Sequence, residues 1–226
     1  MISVIMPTLW KGEHYKRMLP QFNQHPLVGE IVIIDNEITS TNKEILNLNK
    51  VKHLPQSKNI FVNPAWNLAV NKISFDRLCL YSDDVLFDIS VLNDIYPLLT
   101  SESGTFTFAS DSIFESEDKA YIAEWERKLI KPSIGFHYRS GVCMFMHKQS
   151  YYPIPEKYKV YYGDTHLFDL NLLNGKQNYQ IENYVCITKM KTTSKFFNDI
   201  VKEDHDHYKE TNPVEAILID FMEDTK

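Results

Sequence analysis

Short apolar runs, each followed by polar residues, recur along the first part of the chain. They are Ile2–Met6, which is followed by Pro7 and Thr8, Glu30–Asp35, and Arg77–Asp88, in which Asp83 and Asp84 interrupt the apolar residues. Continuous apolar runs of this length are typical of strands buried on both faces. The pattern therefore predicts three buried strands that present polar side chains where they end.

Residues at helical spacing lie between these strands. Tyr15, Met18, Leu19 and Phe22 fall on one face of a predicted helix that extends through Asn23. Asparagine caps helices and proline fits their first turn, so Asn63-Pro64 predicts a second helix with Asn63 as its cap. A short helix is predicted in Thr39–Asn49 and a short strand in Val51–Leu54. Alternating strands and helices predict a parallel sheet with helices on both faces.

The second half of the chain predicts further elements. Strands are expected at Thr105–Ala109, at Gly141–His147 and, one or two of them, within Tyr179–Ile187, and Tyr151–Lys159 is expected to be a loop. Helices are expected within Asp111–Lys131, with Tyr121, Ile122, Trp125 and Leu129, then from a capping Asp164 to Asn174-Gly175, and from Asn212-Pro213 onward, with Val214, Ile217, Leu218 and Phe221.

Composition narrows the class of protein. Of 226 residues, 43% are apolar and 24% are charged, as in ordinary globular domains, and no apolar run reaches membrane-spanning length. The net charge of −6 argues against a broad nucleic-acid-binding surface. Cys79, Cys143 and Cys186 lie in apolar runs without zinc-site spacing, which indicates buried thiols in a reducing compartment. With no visible signal peptide, we expect a cytoplasmic protein.

The polar residues at the three strand ends are the candidate chemistry. In parallel sheets such residues meet at one edge, which is the layout of a nucleotide site. The chain contains no Gly-x-Gly-x-x-Gly and no Gly-Lys-Ser/Thr loop, which argues against a dinucleotide or P-loop enzyme. Asp83 and Asp84, flanked by apolar residues, need water, a cation or hydrogen-bond donors. They predict a divalent-metal site for a phosphorylated ligand, with a turn of solvated aspartates as the alternative.

Taken in order, these segments resemble the GT-A glycosyltransferases, in particular glycosyltransferase family 2. The matching segments are Ser3–Thr8, Glu30–Asn36, Asn63–Asn67, Tyr81–Val85, Ser140–Met146 and Tyr162–Leu167. The resemblance covers about Met1 to Lys195. It implies a Rossmann-like, mixed but mainly parallel sheet in one domain, residues 1–226. Residues 1–100 would bind the nucleotide-sugar, residues 101–195 would form the acceptor and catalytic half, and residues 196–226 would form a helical tail.

The resemblance also implies roles for single residues. Asp164 falls on the catalytic base of an inverting transferase, although a helix amino terminus would lower its pKa. His166, two residues on, is a second catalytic candidate. Asp35 would contact the nucleobase or ribose, and Asp84 would hold a Mn²⁺ or Mg²⁺ ion. The remaining expected donor contacts, which bind a nucleoside-diphosphate sugar, with uridine diphosphate as the default, are Pro7, Thr8, Trp10, Asn67 and Asp83.

Departures from the family pattern leave alternatives open. Ser82 replaces the first aspartate of Asp-x-Asp, and no histidine falls near Thr188–Lys191, so metal use stays open. Lys189, Lys191 and Lys195, or His205 and His207, are alternative partners for a diphosphate or metal, and His137 is a candidate for a sugar or base platform. A nucleotidyltransferase or a non-catalytic binding module are the competing functions. The acceptor, whether glycan, lipid-linked sugar, protein or modified nucleic-acid base, is not predicted.

Overall fold

The computed structural model describes residues 1–37, 42–116, 128–133, 140–188 and 197–211. The strands in these ranges are β1 (Ile2–Thr8), β2 (Val28–Asp35), β3 (Val51–Pro55), β4 (Arg77–Tyr81), β5 (Val85–Phe87), β6 (Ser103–Phe108), β7 (Ile113–Phe114), β8 (Leu129–Ser133), β9 (Cys143–His147), β10 (Gln177–Glu182) and β11 (Cys186–Thr188). The α-helices are α1 (Tyr15–Gln24), α2 (Lys43–Leu46), α3 (Val62–Val70), α4 (Val91–Ile95), α5 (Gly163–Leu173) and α6 (Asn198–Thr211).

An eight-stranded sheet runs through the molecule in the order β3-β2-β1-β4-β9-β6-β10-β8. Strands β1 to β4 are parallel, β9 is antiparallel to both of its neighbours, and β10 is parallel to β6. The sheet is therefore mixed but mainly parallel, and the predicted fold class is confirmed. The predicted halves of the chain share this sheet, because β4 from the first half pairs with β9 from the second.

Apolar side chains cover both faces of the sheet. One face packs on α1, whose buried residues are the predicted Tyr15, Met18, Leu19 and Phe22. The other face packs on α3 and α5, through residues such as Trp66 and Phe168. The predicted helices on both faces are thus present, and they leave the strand ends as the place where polar side chains reach solvent.

The region around Asp83 and Asp84 differs from a single strand. β4 ends at Tyr81, and Val85–Phe87 forms the separate strand β5 in a three-stranded sheet with β11 and β7. The acidic pair lies in the turn between the two sheets. Because β5 pairs with the distant strand β11, its existence depends on a neighbour that local sequence does not reveal.

Several predicted details are wrong. Asn63 does not cap α3, since Phe61, with a φ of 65°, precedes the helix and Asn63 lies inside it. Asp164 is likewise within the first turn of α5, which is preceded by Tyr162. Leu129 begins strand β8, which pairs with β10, and is not helical. The predicted end of α5 is confirmed, because Gly175 follows it with a φ of 73°.

Candidate functional site

A cleft opens at the carboxyl ends of β1, β2 and β4. Its lining residues are Pro7, Thr8, Leu9, Lys11, Asn36, Asn59, Phe61, Val62, Trp66, Ser82, Asp83, Asp84, Val160 and Phe197. These residues come from the three strand ends, the loop after β1, the start of α3 and the segments before α5 and α6. The edge that the sequence predicted as a nucleotide site is therefore a cleft, and Pro7, Thr8, Asp83 and Asp84 lie in it.

Thr8 joins the end of β1 to the acidic turn. Its hydroxyl donates to Asp83 Oδ2 at 2.5 Å and accepts the backbone N–H of Trp10 at 2.7 Å. The backbone N–H of Tyr15 donates to the Asp83 carbonyl at 3.0 Å. At Gly12, an added Cβ would lie 2.5 Å from that carbonyl oxygen, so only glycine allows the loop to approach the turn so closely. The acidic turn is therefore bonded to both ends of the β1–α1 loop, to Thr8 at its start and to Tyr15 at its end.

Burial disfavours ionisation of both carboxyl groups of the turn. Burial raises the pKa of Asp83 to about 6, with Asp84 adding to the rise and the Thr8 hydroxyl opposing it. Burial also raises the pKa of Asp84, while the Thr188 hydroxyl and the charge of His14 oppose that rise. Two partly buried carboxylates that resist ionisation would be stabilised by a cation placed between them.

The described side chains form only part of a metal shell. Across the described ranges, no three His, Cys, Asp or Glu residues lie together as a metal-ligand group. Asp84 and Asp83 are hard oxygen donors of the kind that Mg²⁺ and Mn²⁺ accept, and such ions commonly complete their shells with water and phosphate oxygens. The residues therefore fit a divalent ion that is shared with a phosphorylated ligand.

Asp35 does not line the cleft. Its carboxylate accepts the Trp10 indole N–H at 2.8 Å, the Glu37 backbone N–H at 3.1 Å and His53 Nε2 at 2.9 Å. The Asp35 side chain is only 4% exposed. Trp10 likewise turns inward, because its indole bonds Asp35 and its ring meets the Tyr15 ring edge-on at 5.2 Å. Asp35 and Trp10 are therefore outside the described lining of the cleft, and their contacts with a nucleotide stay a prediction.

Two polar residues outside the predicted site residues, Asn36 and Lys11, line the cleft. Asn36 follows Asp35 directly, and its side-chain oxygen accepts the Ile60 N–H at 3.2 Å. Lys11 ion-pairs with Glu37, with Nζ 3.2 Å from Oε2, and its side chain is 51% exposed. Among the described residues that line the cleft, Lys11 is the one basic side chain. Asn36 directly follows β2 and Lys11 lies in the loop after β1, and these positions were the sequence signal that could have identified them.

Asn67 also has a different place from the one predicted. Its amide nitrogen donates to the Ile154 carbonyl at 2.8 Å, and its oxygen accepts from the Tyr151 hydroxyl at 2.7 Å and the Ile154 N–H at 2.9 Å. The side chain thus fixes the loop before α5 and is absent from the cleft lining. These bonds fit a structural role for Asn67, and its contact with a donor stays a prediction.

Asp164 is not among the described residues that line the cleft, but its contacts lead to one of them. An added Cβ at Gly141 would be 2.9 Å from Asp164 Oδ2, and the carbonyl of the next residue, Val142, accepts the N–H of Ser82, a lining residue. Burial raises the pKa of Asp164 and outweighs the backbone N–H groups of Thr165 and Gly141, which lower it. Burial therefore outweighs the lowering of the Asp164 pKa that was expected from the helix terminus. A carboxylate with a raised pKa is a stronger base.

His166 is not among the described residues that line the cleft. Its Nε2 lies 3.2 Å from the Pro153 carbonyl, and burial lowers its pKa. That contact holds the ring on the loop before α5. The catalytic role of His166 stays a prediction.

Helix α6 contributes residues that the sequence did not predict for the site. Asp204 is fully buried and accepts the backbone N–H groups of Lys159, Val160 and Tyr161 at 2.9, 2.7 and 2.9 Å. Just before the helix, Phe197 packs edge-on against Phe61, with ring centroids 5.6 Å apart. The tail therefore anchors the segment before α5 and supplies one wall of the cleft.

The histidines of α6 are also placed. His205 Nδ1 bonds the Tyr162 hydroxyl, and the His207 ring lies 5.2 Å from the Tyr158 ring. Both therefore contact the segment before α5. Other predictions concern residues outside the described ranges: the helix at Tyr121, Ile122 and Trp125, the platform at His137, the lysines Lys189, Lys191 and Lys195, and the helix from Asn212.

The fold is shared with solved enzymes of low sequence identity. Residues 1–349 of TarS from S. aureus superpose with a TM-score of 0.56 at 15% identity, over 92% of this chain and 65% of that one. The mannosyltransferase PcManGT from Pyrobaculum calidifontis, solved with GDP-Man and Mn²⁺, gives 0.62 at 13% identity, over 84% and 57%. Both are GT-A-type glycosyltransferases. The chain thus spans about three fifths of these two structures.

A third structure has another activity. The inositol-1-phosphate CTP transferase from T. maritima gives a TM-score of 0.53 at 12% identity, over 89% of this chain and 95% of that one. No protein-family model matches the chain, and no curated protein sequence matches it. The likeness therefore establishes the GT-A fold. In the described part of the chain, no helix is long and apolar enough to cross a membrane.

Proposed function

We propose that the protein is a glycosyltransferase that moves a sugar from a nucleoside-diphosphate donor to an acceptor hydroxyl. The observation that carries this proposal is the cleft at the ends of β1, β2 and β4, with Thr8, Asp83, Asp84 and Lys11 in its lining. Solved structures with this fold include TarS with UDP-GlcNAc and the mannosyltransferase with GDP-Man and Mn²⁺. A uridine diphosphate sugar is our first choice of donor.

The proposed donor site is lined by both polar and apolar side chains. Its lining includes the polar residues Thr8, Ser82 and Asp84 at the strand ends and the apolar residues Phe61, Val62 and Trp66 of the α3 region. A nucleoside diphosphate presents a flat base and a charged diphosphate, which match such a lining. A divalent ion held by Asp84 and Asp83 would offset the negative charge of the diphosphate.

The transfer itself is a displacement with inversion at the anomeric carbon. The acceptor oxygen forms a bond to that carbon, while the bond to the donor's diphosphate oxygen breaks on the opposite face. The acceptor proton passes to Asp164, and the nucleoside diphosphate leaves with the bonding electron pair. We choose Asp164 because it lies close to Gly141, whose neighbour Val142 bonds the cleft residue Ser82, and because burial raises its pKa.

A test of this proposal separates binding from chemistry. Purified protein is incubated with UDP-GlcNAc and GDP-Man, and the release of nucleoside diphosphate is measured with and without a mixture of candidate acceptors. We expect Asp164→Asn to reduce release by about a hundredfold or more while donor affinity changes less than threefold. Full activity of Asp164→Asn would show that another residue is the base.

A nucleotidyltransferase is the second candidate, because the CTP transferase has this fold and a comparable length. Such an enzyme would consume a nucleoside triphosphate and release pyrophosphate. Here the loop after β1 offers a single lysine, Lys11, and turns Trp10 inward, so it provides little charge for a triphosphate. Pyrophosphate release from CTP or UTP without any release of UDP from UDP-sugars would favour this second function.

A further inference from the structure

We infer that Asp35, with Trp10 and His53, is a positioning device for the donor cleft, and that Lys11 is the diphosphate contact that it positions. This inference rests on the proposed function, because it assigns the ligand of Lys11 within the same cleft. It also gives Asp35 a different role from the nucleobase contact that sequence resemblance implies.

The first step is that the Asp35 carboxylate makes three hydrogen bonds within the protein. Oδ1 accepts from the Trp10 indole and from the Glu37 backbone, and Oδ2 bonds His53 Nε2. An ionised carboxylate only accepts hydrogen bonds, so His53 Nε2 carries the proton and donates. With a side chain that is 4% exposed, Asp35 has little surface left for a ligand.

The second step is that these bonds hold the loop from Leu9 to Gly12. Trp10 has a φ of 58°, a conformation that costs free energy for a residue with a Cβ. Its backbone N–H bonds Thr8 and its indole N–H bonds Asp35, so both ends of the residue are fixed. Leu9 and Lys11, the residues on either side of Trp10, are the ones that line the cleft. Turning Trp10 inward therefore turns its neighbours toward the ligand.

The third step is that Asp35 also holds the ion-pair partner of Lys11. The Glu37 backbone is fixed by Asp35 Oδ1, and the Glu37 carboxylate lies 3.2 Å from Lys11 Nζ. Lys11 is thus placed from two directions, through Trp10 and through Glu37. Because Lys11 is half-exposed, its ammonium group can exchange the Glu37 carboxylate for an anionic ligand in the cleft.

The ligand class follows from the position of Lys11. It shares the cleft with Thr8, Ser82 and Asp84 at the strand ends, where the proposed diphosphate lies. As the one basic side chain among the described lining residues, it supplies the positive charge that a diphosphate needs. His53 is exposed on one side and lies outside the lining, so it acts through Asp35 as a positioning residue.

The test is a double-mutant cycle on UDP affinity, measured by calorimetry. Lys11→Met removes the charge, and His53→Phe removes the donor to Asp35, while His53→Gln keeps a donor at that position. We expect about a tenfold loss of affinity for Lys11→Met and about fivefold for His53→Phe, with His53→Gln near the unaltered protein. Lys52→Met, on the same strand as His53 and outside the cleft, is the matched control and should change affinity less than twofold.

The double variant decides between positioning and general destabilisation. If His53 acts by placing Lys11, then His53→Phe costs less than about twofold once Lys11 is already methionine. Independent losses that multiply in the double variant would overturn the inference.

Hydrogen exchange of residues 9–12 gives a readout without nucleotide. His53→Phe and Trp10→Phe should speed exchange there about tenfold, and His53→Gln should not. Unchanged exchange in His53→Phe would show that the network does not hold the loop. If the unaltered protein binds neither UDP nor GDP, the proposed function and the role of Lys11 both fail, and the exchange result alone decides whether Asp35 holds the loop.

Discussion

Asp83 makes the stability of this protein depend on pH in a direction that can be measured. Its pKa is about 6 in the folded protein, against an ordinary value of 3.8, because burial and the neighbouring Asp84 disfavour the charge. The folded protein therefore binds the proton more tightly than the unfolded chain does. This stabilisation is fully present below the unfolded pKa and is lost as pH rises through the folded pKa.

The size of the effect follows from the shift. A rise of about two units corresponds to about 3 kcal/mol of free energy of unfolding between low and high pH, at about 1.4 kcal/mol per unit. Between pH 4.5 and 7.5, about 2 kcal/mol of that difference should be seen. Asp83→Asn removes the titrating group and keeps an oxygen that can accept the hydrogen bond from the Thr8 hydroxyl.

The assay is urea unfolding of the unaltered protein and Asp83→Asn across this pH range. We expect the unaltered protein to lose stability relative to the variant by about 2 kcal/mol as pH rises. Asp88→Asn is a control of opposite sign, because hydrogen bonds from Lys128 and Ser90 lower the pKa of Asp88 despite its partial burial. The stability that the ionised Asp88 gives the unaltered protein should therefore be lost as pH falls. Parallel curves for the unaltered protein and Asp83→Asn would refute the buried-carboxylate reasoning.

Three further substitutions test the surroundings of the cleft. Asp204→Ala removes the buried carboxylate that accepts three partly buried backbone N–H groups and should lower the free energy of unfolding by about 2–4 kcal/mol in urea, whereas the exposed Asp206→Ala should change it by about 0.5 or less. Asn67→Leu should cost about 2–4 kcal/mol while UDP affinity stays within about twofold, and a large affinity loss would restore its predicted donor role. Gly12→Ala forces a Cβ against the Asp83 carbonyl and should lower the melting temperature, and an unchanged melting curve would contradict the close approach.

Local pattern was enough to predict the elements that position the site. The runs Ile2–Met6 and Glu30–Asp35 became β1 and β2, and the spacing of Tyr15, Met18, Leu19 and Phe22 gave the buried face of α1. In these segments the apolar period and the buried surface agree, so local sequence and tertiary packing favour the same structure. Thr8, Asp83 and Asp84 lie together because β1 and β4 are parallel neighbours whose carboxyl ends meet at one edge of the sheet.

Partners distant in sequence explain what was missed. Asp35 ends its strand as predicted, but its bonds to His53 and Trp10 join residues 18 and 25 positions away. Leu129 was assigned to a helix, although pairing with β10 makes it part of a strand. The sequence does not show which tertiary hydrogen bonds a particular polar side chain makes. For the same reason it did not predict that Asp204 accepts the backbone N–H groups of residues 159–161.

The central claim is that the cleft binds the nucleoside diphosphate of a sugar donor. The most direct measurement is a calorimetric titration of the purified protein with UDP and with GDP, first with Mn²⁺ and then with chelator. We expect binding on the order of micromolar Kd for one of them, weakened about tenfold or more by Asp84→Asn and by chelator. No binding of either nucleotide under either condition would contradict the claim and favour a different ligand for the cleft.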